Sequence, residues 1–194
     1  MQYNQSPILE AYNIIDSTAK SNATVEALGS FFGLGTNLLI DAATIGTHYI
    51  PMLNKIRALF GKAPWTMQSF GPVLKVIAND LMFDFVFDKL LGSIPIAGTY
   101  FNYICAKSMI FRVGMLCAMT SCLNEDITDI ETFRNTSILI REIFPQKSAF
   151  KFASPDYGKF EQLMLSIINN SVKSYEEKVE RAMEAFGITE DPEA

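Results

Sequence analysis

Apolar side chains recur every three or four residues through most of this chain, and no useful stretch alternates apolar with polar at the strand period of two. The pattern predicts an all-α fold. Ser6-Pro7 opens it with a capping hydroxyl, then a ring that needs no N–H at the first helical position. Ile8, Leu9, Tyr12 and Ile15 give a first helix, reaching about Lys20, its apolar face. Asn22 can cap a second helix carrying Val25, Leu28 and Phe32, which Gly29, Gly33 and Gly35 would loosen or end. One long helix is expected from about Thr36 to Phe60, with Gly61 just past its end. Pro51 lies inside it and should kink or split it, because proline removes a backbone donor and crowds the preceding turn.

Beyond Ala63-Pro64 the helical period resumes, with Val73, Leu74, Ile77, Leu81, Phe85 and Leu91 along one side up to Gly92. Ser93 and Pro95 bracket a new start, and the stretch from there to about Leu123 is the most hydrophobic in the chain. Thr128-Asp129-Ile130-Glu131 has the form of a capping box for a helix ending before Pro145. Ser154-Pro155 then begins a last helix, with Phe160, Leu163, Ile167, Tyr175, Val179, Met183 and Phe186 as one buried stripe and Gly187 closing it. The expected organisation is one all-helical domain over 1–194. Two long apolar hairpins fill 22–123, and an amphipathic helix pair with an acidic tail fills 124–194.

The apolar runs raise the question of a membrane. A spanning helix needs about 20 consecutive apolar residues. The longest charge-free run, Leu90 to Ala106, holds Pro95, Gly98 and Asn102, and Lys107 and Arg112 interrupt its continuation. A second run, Ala27 to Ile40, ends at Asp41. Central core helices are the expectation, since helices apolar nearly all round are usually buried. Gly98, Gly114 and Ala118 bring small side chains that allow close backbone approach, in lipid and in tight soluble bundles alike.

Composition narrows the functions. At 194 residues a chain buries roughly 70% of its unfolded surface without disulfides or metals. The net charge of -5 with scattered Lys and Arg offers no basic stripe, which argues against nucleic acid as a partner. Cys105, Cys117 and Cys122 form neither a CxxC pair nor a zinc spacing and suit a reducing compartment. The first residues, MQYNQSPILEAYN, lack a basic region followed by an apolar run, so a cytoplasmic protein is expected, with peripheral contact at the inner membrane as the one departure.

Candidate chemistry is sparse. His48, the only histidine, has Asp41 two helical turns back and no fuller set of partners. Asp80, Asp84 and Asp88 share one helical face in an otherwise apolar segment, and carboxylates one turn apart can share a hard cation. The simpler account is a narrow solvated face extended by Lys75 and Asn79; a third account pairs one of these Asp with Lys107 or Arg112. Gly29, Gly33 and Gly35 have neither a preceding strand nor a Lys-Ser/Thr pair and make no phosphate cradle. No catalytic residue, cofactor or metal is assigned.

The order Asp41, Met52, Phe60-Gly61, then Pro95-x-x-Gly98 and Gly114 resembles a bacterial helical family of unknown function. Its members lie behind Era-type small GTPase domains and in YcjF-type inner-membrane proteins, with a looser likeness to EcsC proteins. The similarity spans about Ala23 to Ser121; Tyr49 stands where the family tends to have Gln, and Pro51 interrupts the helix. The resemblance implies paired helical hairpins associated with a membrane or a protein partner and brings no catalytic residue. The expected function is a non-enzymatic module that binds a protein. The alternatives are an immunity or inhibitor protein neutralising a toxin, and a metal-dependent enzyme using the Asp80, Asp84 and Asp88 face.

Overall fold

Helix-terminating signals and amphipathic stripes place the described helices close to where the pattern puts them; the helix expected from Asn22, the part of the long helix before Tyr49 and the stripe from Leu74 to Gly92 lie outside the described residues. The computed structural model describes residues 6–21, 49–73, 95–123, 129–145, 152–169 and 174–188, with the backbone alone for 95–102. Every regular element among them is helical, and the fold is all-α. Helix α1, Pro7–Lys20, begins with its proline in the first turn, where a missing N–H costs nothing. Ser6 occupies the cap position, but its hydroxyl makes no capping bond.

Helix α2 is Ile50–Leu59. Tyr49 before it has π-helical backbone, and Pro51 falls in the first turn of the α-helix that follows. Gly61, at φ +69°, ends α2 as expected. Its N–H donates to the Ala58 carbonyl at 3.1 Å and that of Lys62 to the Arg57 carbonyl at 3.0 Å, the paired bonds of a Schellman motif. Residues 67–73 form a further helical stretch started by Thr66, whose N–H donates to Ser69 Oγ at 2.9 Å while the Ser69 N–H donates to Thr66 Oγ1 at 3.2 Å. That reciprocal pair is a capping box with serine in the usual place of glutamate.

Helix α3, Pro95–Ser121, has 27 residues, about 40 Å at 1.5 Å per residue. From Ile104 to Ser121 it is buried on every side except at Lys107. It passes by length and composition as a membrane span over Tyr103–Ser121, yet 94% of that window lies inside the molecule. Helices α1, α2, α4 (Ile130–Ile143) and α5 (Tyr157–Asn169) all pack on it, while α6 (Tyr175–Ala185) packs outside, on α4 and α5. The layered order follows from composition: a helix with no polar face must be enclosed, and amphipathic helices supply the enclosure.

Two expected boundaries move. The cap of α4 is Asp129, which accepts from the Thr132 N–H at 2.8 Å, so the helix starts one residue later than a Thr128 box would place it; Glu131 instead faces Arg134 on the surface at 3.9 Å. The single last helix expected from Ser154-Pro155 is two, α5 and α6, so among the described residues three helices rather than a pair follow α3. Asp156, not Ser154, accepts from the first turn of α5, through the Lys159 N–H at 3.0 Å. Ser174 caps α6 by accepting from Glu177 N–H at 3.2 Å. The stripe itself survives the break, because Phe160, Leu163, Ile167, Tyr175 and Val179 are all buried, and Met183 and Phe186 pack against the same core. Gly187, φ +70°, closes α6 with a second Schellman pair, its own N–H to Glu184 and that of Ile188 to Met183.

Candidate functional site

Polar side chains inside a helical fold must either find partners or carry a desolvation cost, so the buried ones show what the interior is used for. Arg57, on α2, is buried. Its Nε donates to the Ala63 carbonyl and its guanidinium lies 4.3 Å from the centre of the Trp65 ring. Asn54, one turn earlier, accepts from the Trp65 N–H at 2.7 Å and donates to the Trp65 carbonyl at 3.0 Å. The clamped indole stacks on Phe70 at 4.2 Å, and both rings meet Phe133 of α4 edge-on. This group ties the loop after α2 to α4.

A second junction holds α1. Tyr12 Oη donates to the Pro155 carbonyl at 2.8 Å, and Ser154 Oγ donates to Asp16 at 2.7 Å. The Tyr12 ring packs among Phe111, Tyr157 and Phe160. Lys107 and Arg112, the charges that interrupt the apolar helix, also have partners here. The Lys107 ammonium lies 4.4 Å from the Tyr103 ring centre, and Arg112 donates to the Phe144 carbonyl at 3.1 Å, at the end of α4 where the helix dipole favours a cation.

The third junction brings two carboxylates together. Thr132 Oγ1 lies 2.9 Å from Asp129 and 2.7 Å from Glu176, across the starts of α4 and α6. One hydroxyl hydrogen serves one carboxylate at a time. Asp129 keeps the Thr132 amide in either case, and that backbone bond is the first reason its carboxyl is held below the ordinary range. The Thr132 hydroxyl is what chiefly lowers Glu176, opposed by desolvation and, less, by the Asp129 charge. Deeper in the same seam Thr136 Oγ1 lies 3.1 Å from Tyr175 Oη, and burial pushes that phenol up.

Burial also sets the state of two of the three thiols. Burial raises both Cys117 and Cys122 to about 12, so each is a neutral thiol at physiological pH. Cys117 donates weakly to the Leu53 carbonyl at 3.5 Å, and Cys122 to that of Met119. No group of three or more His, Cys, Asp or Glu that could hold a metal occurs among the described residues.

Of the residues singled out by sequence, Asp41, His48, Asp80, Asp84 and Asp88 lie outside the described residues, as does any pairing of those aspartates with Lys107 or Arg112. Met52 is a core side chain, and Phe60 packs against the core from the end of α2 beside Gly61. Pro95 opens α3, and Gly98 lies in its first turns. Gly114 marks a close approach of α1: a Cβ there would sit 2.7 Å from Ile15 Cγ1. These positions set chain geometry.

Spacing alone missed three features. The Asn54–Arg57–Trp65 clamp joins residues that periodicity treats as surface and loop. The Ser174-x-x-Glu177 pattern was available as the signal for the break before α6. The large apolar side chains left exposed among the described residues are Ile130 at 44%, Leu165 at 41% and Ile168 at 39%. Leu165 and Ile168, three apart on α5, are neighbours on its outer side.

No family model matches this chain, and neither curated proteins nor solved structures contain a match to it.

Proposed function

We propose that this chain is a non-enzymatic helical module that binds a protein partner, working in the cytoplasm or peripherally at the inner face of a membrane. The observation that carries the reading is the exposed Leu165–Ile168 pair on α5, set on a scaffold whose buried polar groups serve to fasten helices to one another. Neutral thiols at buried Cys117 and half-buried Cys122 suit a scaffold better than a catalyst. Peripheral contact is favoured over insertion by Arg112, which falls at the middle of the one span-like window among the described residues, where a charge costs about 2.5–3.5 kcal/mol even on the lenient insertion scale. The sequence resemblance to the helical family of YcjF-type proteins supports the same reading.

The test is capture of partners by the tagged full-length chain, compared with the Leu165→Glu, Ile168→Glu double variant. A specific protein retained by the parent and lost by the variant, at unchanged stability, is the expected result. Equal capture by both would remove the α5 surface from the reading, and no specific capture by either would remove the reading itself.

Charge distribution favours a second reading, an inhibitor or immunity protein that neutralises a cationic toxin. Seven acidic and two basic side chains fall in residues 174–194, which leaves the rest of the chain with fourteen of each. The whole net charge therefore sits on α6 and the residues after it, and Glu176, Glu177, Glu180 and Glu184 are exposed there. Such a surface steers a basic partner and makes association salt-dependent. Capture of a basic protein that weakens steeply between low and physiological salt would move this reading to the front.

A further inference from the structure

We draw no further inference here: the strongest candidate, the junction where the Asp129 and Glu176 carboxylates meet on Thr132 between the starts of α4 and α6, is an acidic cluster at two helix N-termini, and nothing in the structure points to a ligand for it.

Discussion

Gly114 and Ile15 hold a close contact between α1 and α3, and the absent side chain is what allows it. Gly114→Ala should cost about 1–3 kcal/mol, since a methyl group 2.7 Å from Ile15 Cγ1 forces one helix to shift. Ile15→Ala alone opens a cavity and should cost about 2–5 kcal/mol. Combined, the two should cost less than their sum by at least about 0.5 kcal/mol, because the second removes the atoms that the first collides with. Urea denaturation of the four proteins measures this, and strict additivity would mean that the contact does not set the spacing. Tyr49 makes the opposite case. Its hydroxyl is buried without a hydrogen-bond partner among the described residues, and burial pushes its ionisation well up. Tyr49→Phe removes a desolvated polar atom and keeps the ring, so stability should rise by about 1 kcal/mol. A loss of stability on thermal unfolding would show that the hydroxyl is bonded after all.

Individual helices are bounded by chemistry that acts through one or two side chains. Asp129 starts α4, and its carboxyl is held below the ordinary value by the Thr132 amide and hydroxyl. A depressed carboxylate contributes stability in full above its unfolded value, about pH 4, and loses it as pH falls through the lower folded value. Asn caps helices as well as Asp does and does not titrate. The Asp129→Asn protein should therefore show a shallower fall in Tm between about pH 4 and pH 2 than the parent, with little change near neutrality. Identical acid limbs would place the sensitivity elsewhere. The ends of α2 and α6 rest on Gly61 and Gly187, both with positive φ, where a side chain would strain the backbone. Both were legible in the sequence as glycines following a stripe. The division of the last helix was signalled only by Ser174-x-x-Glu177, because Phe160 to Phe186 keep a helical stripe across the break. A stripe reports which side faces the core, and two helices docked on the same core present the same side.

At the scale of the molecule, the layering decides how an apolar helix is used. Helix α3 is enclosed by α1, α2, α4 and α5 over the window that could span a bilayer. A chain that reaches a membrane in this form does so through its outer surface. Native protein recovered with membranes should accordingly be released by a carbonate wash; retention after the wash would mean that α3 leaves its enclosure and inserts. The same layering explains how Lys107 and Arg112 are accommodated. Lys107 lies against the Tyr103 ring one turn back and the Phe152 ring, and Arg112 reaches the carbonyl end of α4; Phe152 and Phe144 are distant in sequence, and no local spacing could announce them.

The sequence by itself determined the helical class, the span-like but interrupted stretch that became α3, and the glycine ends of α2 and α6. Each depends on side-chain period, length or backbone freedom within a few neighbouring residues. It also determined which small residue could sit at a close crossing, since only Gly114 lacks a Cβ in the buried part of α3. Tertiary structure decided the rest. It chose Ile15 as the residue meeting Gly114 and set Arg57 and Asn54 on the Trp65 loop. It also brought Glu176 to the cap of α4 and left Leu165 and Ile168 outside while Leu163, Met164 and Ile167 on α5 were covered. Those outcomes depend on which surfaces meet when helices far apart in the chain pack, a sum of many weak contacts that no local pattern encodes.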